Sequence, residues 1–201
     1  DRVAFTGNYS PAGQMSTIAA MASAARVLKE YRPEVSEKAL NLAVKLWDEN
    51  FEAADPANQA TNGRRARGDG RVNAAIQLWL TTGEAKYKDF FYDKVLAQLE
   101  GERPNLNTAL SIYPMMDKNF QKKVKAAVPA FVKAQKATAA STPYGVPVSG
   151  RGWGGNGTVI SWAFNNYMVW KYFPKMIDPE MVLAGLNYLY GCHPVSNVSF
   201  V

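Results

Sequence analysis

Histidine and cysteine are almost missing from this 201-residue sequence, which has only His193 and Cys192. One cysteine excludes an intramolecular disulfide, and one imidazole beside one thiol cannot build a thiolate cluster or a His-rich zinc site. Long apolar runs are lacking too. Nothing approaches the roughly 18 consecutive apolar residues that span a bilayer, so no membrane partner is expected. The opening Asp1-Arg2-Val3 lacks the basic and apolar segments of a secretory leader. No segment of strand length combines strict alternation with β-branched enrichment, which leaves an all-α chain as the expectation.

Acidic charge is the scarcer sign, 17 residues against 23 basic, for a net +6. The excess is local. Arg64, Arg65, Arg67 and Arg71 sit in one Gly-rich turn, while Lys118, Lys122, Lys123, Lys125, Lys133 and Lys136 lie along one helical pattern. Such a run usually marks a solvated face, and no recognised binding motif accompanies it, so no nucleic-acid partner is expected.

Helical periodicity fills most of the chain. From Ala12 to Tyr31, Met15, Ile18, Ala22, Ala25 and Leu28 recur at helical spacing until Arg32-Pro33 stops them. Ser36 is the expected cap of a second helix with Leu40, Ala43, Val44, Trp47 and Phe51 on one stripe. After a polar segment from Asp55 to Gly70, Val72, Ala75, Ile76, Trp79 and Leu80 form a stripe ended by Gly83. Tyr87, Phe90, Phe91, Val95 and Leu99 make the face of its hairpin partner. Pro104 to Met116 suits a short helix broken at Tyr113-Pro114, and Phe120 to Ala140 a longer one that Pro129 kinks or splits. Asp178-Pro179 reads as N-cap plus first-turn proline of a last helix that Gly191 ends. About seven to eight main helices are expected, in antiparallel hairpins without an internal consensus repeat.

The stretch Thr142 to Gly157, TPYGVPVSGRGWGGNG, is the likeliest working surface by composition. Its glycines permit close backbone approach, and it carries Tyr144, Arg151, Trp153 and Asn156 to the start of an aromatic helix over 157–172. Trp153 reads either as a ring folded back on the core or as a flat platform for a ligand. No carboxylate lies in this loop, and Asp48, Glu49, Glu52, Asp89, Asp93 and Asp178 fall on polar faces or caps, so no catalytic pair is proposed. His193, beside Pro194, reads as a turn histidine bonding a nearby carbonyl or as a binding residue.

Three segments together resemble glycoside hydrolase family nine, whose catalytic domain is an (α/α)6 barrel of six helical hairpins. Trp153-Gly154-Gly155-Asn156 is similar to the family's Trp-Gly-Ser-Asn before an apolar helix. Residues 185–194, GLNYLYGCHP, followed by Ser199-Phe200-Val201, resemble its leucine-rich helix, Gly-x-Asn-Pro turn and Ser-[Phe/Tyr]-Val segment. Residues 74–87, AAIQLWLTTGEAKY, resemble its Ala-Ala-x-Leu-x-x-Ala-Thr-Gly-Asp-x-x-Tyr pattern. Gly155 replaces the family's usual Ser and His193 its Asn, which marks a divergent member.

The resemblance implies an inverting hydrolase of β-linked glucan or a related polysaccharide, with a carboxylate base and a carboxylic acid roughly 6.5 to 9.5 Å apart. In the family the base belongs to an Asp-Ala-Gly-Asp motif and the acid is a Glu near the C-terminus. Neither motif occurs here, so residues 1–201 are expected to be the central part of one catalytic domain, with no catalytic residue of their own. Trp153, Tyr144, Arg151, Asn156 and His193 are the expected sugar-binding residues, since a flat ring covers sugar C–H groups and polar groups bond hydroxyls. The resemblance implies no cofactor and leaves a structural calcium open; its expected partners are an oligo- or polysaccharide and either the remainder of the domain or a second copy. It also implies a secreted, periplasmic or cell-surface location. The alternatives are a non-catalytic helical-toroid scaffold and another six-hairpin exo-glycosidase.

Overall fold

The computed structural model describes residues 10–58, 68–148 and 155–191. Every regular element among them is helical: α1 (Pro11–Leu28), α2 (Pro33–Asn50), α3 (Gly70–Thr82), α4 (Ala85–Ala97), α5 (Asn107–Ile112), α6 (Lys118–Ala140), α7 (Asn156–Tyr172) and α8 (Glu180–Leu189). Short 3-10 turns occupy Pro56–Asn58 and Tyr113–Met115. The chain divides into two units, Asp1–Lys94 and Val95–Val201, with the division inside α4.

In the first unit α1 packs against both α2 and α3. Its small buried residues Ala19, Ala22 and Ala25 suit close helix approach, while Met15 and Ile18 fill the space between. A polar seam fixes the pairing with α3. Gln77 Oε1 accepts from Ser23 Oγ at 2.8 Å and from Arg26 Nη2 at 2.9 Å, and Thr81 Oγ1 lies 2.9 Å from the Ala22 carbonyl.

Ser36 is not the cap it was expected to be. Helix α2 begins at Pro33, whose missing N–H costs nothing in a first turn, and Ser36 points inward to donate to the Ala25 carbonyl at 2.7 Å. A hydroxyl within reach of a free carbonyl on α1 is better satisfied there than at an exposed helix end. The α3 face is also wider than its stripe. Ala74 and Leu78 are fully buried, whereas Trp79 and Leu80 are half-buried, with Trp79 edge-on to Phe91 at 5.5 Å. Gly83 does take the left-handed conformation, φ 74°, and its N–H bonds the Trp79 carbonyl at 2.8 Å.

In the second unit α7 packs on α5, α6 and α8. Asp117 caps α6 by accepting from Phe120 N–H at 2.9 Å, and Gln121 Nε2 ties its first turn to the Tyr113 and Met116 carbonyls, each at 3.0 Å. Pro129 does not split α6, which runs unbroken through it. The proline is exposed, and so is Lys125, the residue whose carbonyl it leaves without a helical donor. Helix α8 starts one residue later than Asp178-Pro179 implied, with Pro179 at the cap position, yet Asp178 Oδ1 still accepts from Glu180 N–H at 3.0 Å.

Helices α7 and α8 approach so closely because Gly185 has no side chain. A Cβ there would come 2.7 Å from Ala163 Cβ and 3.3 Å from the Val159 carbonyl. Asn166, fully buried, adds a hydrogen bond from Nδ2 to the Met181 carbonyl at 3.1 Å.

Candidate functional site

Of the five expected sugar-binding residues, Arg151, Trp153 and His193 lie outside the described residues, whereas Tyr144 and Asn156 are placed. The first part of the loop, 141–148, has a defined shape. Ser141 ends α6, the Thr142 hydroxyl donates to the Val146 carbonyl at 2.6 Å, and Gly145 makes the intervening turn at φ 69°. Fully buried Val146 pins this turn down. Tyr144 is half-buried with its ring edge-on to Tyr188 of α8, centroids 5.6 Å apart, a packing contact that holds the ring in place.

The loop's far end enters α7 at Asn156, preceded by Gly155 at the cap position. Gly155 brings no side chain of its own to cap this terminus. A serine at that position would ordinarily supply the capping oxygen, so Gly155 leaves the first amides of α7 to other acceptors.

Beside this entry lies an open groove of about 660 Å³ between the C-terminal part of α6 and the first two turns of α7. Gln135 and Thr138 line it from α6, and Thr158, Ser161, Trp162 and Asn165 from α7. The α7 residues fall at i, i+3, i+4 and i+7, one face of a helix. None of the described lining groups is charged. The surface therefore suits neutral, hydroxyl-rich matter rather than ions. Trp162 is buried, and its indole N–H has no acceptor among the described residues.

The strongest electrostatic centre lies elsewhere, in the first unit, and sequence reasoning missed it. Arg71, only 3% exposed, sits in the first turn of α3. Its Nε donates to Asp69 Oδ1 and its Nη2 to Asp69 Oδ2, both at 2.8 Å; Nη2 also lies 2.9 Å from Asp55 Oδ2. Nη1 reaches the Phe51 carbonyl at 3.3 Å. The guanidinium lies 5.0 Å from the Phe51 ring centre and 5.3 Å from that of Phe90, and Lys94 stands 3.5 Å from Asp69. Burial raises the Asp69 pKa, but the Arg71 hydrogen bonds outweigh it and hold the carboxyl below its ordinary value. Asp55 is also lowered, first by the Ala57 N–H and then by Arg71. Both acids are ionised and bound to a cation, which suits anchoring and not proton transfer. The sequence signal was Asp69, two residues before Arg71 at the head of an apolar stripe, an N-cap that also reaches back to its own helix's arginine.

Among the described residues no grouping of three or more His, Cys, Asp or Glu could hold a metal ion. The described surface thus offers a neutral groove beside an aromatic loop, mounted on helical hairpins.

Known structures share this arrangement of helices. An endoglucanase of glycoside hydrolase family 9, J30, superposes with a TM-score of 0.70 at 20% identity, over 95% of this chain and 39% of that one. A single-mutant thermostable endoglucanase from Alicyclobacillus acidocaldarius matches with a TM-score of 0.67 at 20% identity, over 94% of this chain and 39% of that one. AaCel9A, solved with cellobiose-like isofagomine, matches with a TM-score of 0.65 at 18% identity, over 94% and 39%. The fold is therefore that of a helical-hairpin glycosidase, as the resemblance implied. The model of glycosyl hydrolase family 9 matches residues 2–201, and the chain belongs to that family. No curated protein matches the sequence. The chain spans 39% of the length of the solved relatives.

Proposed function

We propose that this chain is the central segment of a catalytic domain that hydrolyses β-glycosidic bonds in a glucan or related polysaccharide by single-displacement inversion. The observation that carries the reading is the family match over residues 2–201, which runs through the loop and the α7 entry. The catalytic acid and base belong to the portion of the domain that this chain does not span. This segment supplies scaffold and one wall of the sugar cleft.

In that wall Trp153 covers the C–H face of a sugar ring, Arg151, Asn156 and His193 bond hydroxyls, and Tyr144 offers a further ring. Three features support the assignment: the glycine-rich setting of the loop, the fixed turn at Tyr144 and the uncharged groove alongside. A polymeric substrate places the parent protein outside the cytoplasm, secreted, periplasmic or at the cell surface.

The apolar residues Ile160, Phe164 and Tyr167 on α7, Leu183 and Leu186 on α8, and Tyr190 just after it are exposed. In this reading the remaining hairpins of the domain cover them. The test is a titration of the 201-residue chain with soluble β-glucan oligosaccharides, followed by calorimetry and by reducing-end release. Weak binding that Trp153→Ala abolishes, with no release, is expected. Sugar affinity unchanged by Trp153→Ala would remove the platform, and release of reducing ends would remove the division of labour.

A further inference from the structure

Helix α6 carries six lysines and no acidic residue over its 23 positions. The chain's net charge is also +6, so outside α6 acidic and basic residues balance. All six lysines are exposed, and none of the ion pairs among the described residues involves them.

Their spacing is not scattered. At 3.6 residues per turn Lys118, Lys122, Lys125, Lys133 and Lys136 fall within an arc of about 80°, a stripe about 27 Å long. It lies away from the buried face of Phe120, Val124, Val128, Phe131 and Val132. Solvated helix faces ordinarily mix both signs, because like charges three and four apart oppose the helix. Here no acidic residue within α6 offsets them. Within each of the two groups, Lys118-Lys122-Lys125 and Lys133-Lys136, neighbours are three or four residues apart, a rise of about 4.5 to 6 Å that is shorter than the Debye length of about 8 to 10 Å at ordinary ionic strength, so their potentials add.

One end of the stripe borders a cavity of about 430 Å³ lined by Lys133 and Lys136 together with Pro129, Val132 and Met176. Two cations beside an apolar lining fit a sugar ring that carries an acid group, its C–H face on the apolar side chains and its carboxylate against the ammonium groups.

We propose that the lysine stripe of α6 binds an anionic polysaccharide, one bearing carboxylate or sulfate along its length, at a surface separate from the loop and groove described above. Three physical features favour this class. Single-stranded nucleic acid is held by cations interleaved with exposed aromatic rings, and duplex backbone preferentially by arginine forks; the stripe has neither. An interfacial membrane helix needs its apolar face free, whereas that of α6 is buried in its own unit. Within each group, Lys118-Lys122-Lys125 and Lys133-Lys136, lysines spaced by about one helical turn match successive rings of an extended acidic polymer. The inference does not depend on the hydrolase reading, because it concerns binding alone.

The experiment is a titration of the full chain with polygalacturonate fragments at low and physiological salt, beside neutral β-glucan, a DNA duplex of equal charge and anionic vesicles. Binding of polygalacturonate that weakens with salt is expected, and K133E/K136E should weaken it by roughly tenfold and flatten the salt dependence. K122E/K125E should act in the same direction. Circular dichroism and melting of both variants should match the parent, since the four side chains are exposed. Absence of binding at low salt, equal binding by both variants, or tighter binding to duplex or vesicles than to polygalacturonate would each overturn the proposal.

Discussion

Replacing Arg71 by methionine removes the only buried guanidinium among the described residues while keeping a long apolar stem. Loss of one partner from a buried ion pair costs about 3 to 5 kcal/mol, because the remaining charge stays desolvated and unpaired. The low end applies here. Asp69 is 17% exposed and retains Lys94 at 3.5 Å, and Asp55 is one-third exposed, so both carboxylates recover part of their solvation. A loss of about 3 kcal/mol in a chain of this size lowers the melting temperature by roughly 6 to 12 °C. Arg71→Lys keeps the charge but loses the two-pronged contact to Asp69 and the stacking on Phe51 and Phe90, so it should fall between parent and Arg71→Met. The pH dependence has a definite sign. Both carboxyl groups titrate below their ordinary 3.8 in the folded chain, so their contribution is complete above that value and is lost as pH falls through the lowered folded values. The parent should therefore lose stability in that acid range and Arg71→Met should lose less of it. Thermal melts at neutral and acid pH decide the matter. A melting temperature within a degree or two of the parent for Arg71→Met, or the same acid sensitivity in both proteins, would refute the account of this cluster.

Three further outcomes follow from other contacts. Gly185→Ala should destabilise by about 1 to 3 kcal/mol through overpacking against Ala163, read as a lower denaturation midpoint, and an unchanged midpoint would mean the helices separate freely. Ser36→Ala, which removes the buried hydrogen bond to the Ala25 carbonyl, should cost about 1 kcal/mol in the same assay. Trp153→Ala should weaken oligosaccharide binding by roughly 1 to 3 kcal/mol with little change in melting temperature, whereas a core tryptophan would cost about 3 to 5 kcal/mol of stability and leave sugar affinity alone.

The helices were legible because most carry a stripe at helical spacing and several end on residues with one strong preference. Gly83 and Gly191 adopt the left-handed backbone expected of helix ends, at φ 74° and 86°. Misreadings arose where tertiary contact overrode local preference. Ser36 has the chemistry of a cap, yet its hydroxyl found a carbonyl 11 residues away; of the two outcomes open at Pro129, a kink or a split, the split is excluded because the helix continues through it on an exposed face. The Arg71 cluster was hidden because Asp55, Asp69 and Phe90 are brought together only by folding. For the site, composition pointed to the loop, and the structure shows its Tyr144 packed on Tyr188 and its exit opening α7 beside an uncharged groove. That groove draws Gln135 and Thr138 from one helix and Ser161 and Asn165 from another, a convergence no single stretch of sequence displays.

The most direct test of the central claim is reducing-end release from soluble β-glucan by the 201-residue chain, run beside the complete catalytic domain in which we place it. The account predicts turnover by the complete domain and none by the chain, whose part is to hold the sugar. Release by the chain alone, or none by the complete domain, would contradict it.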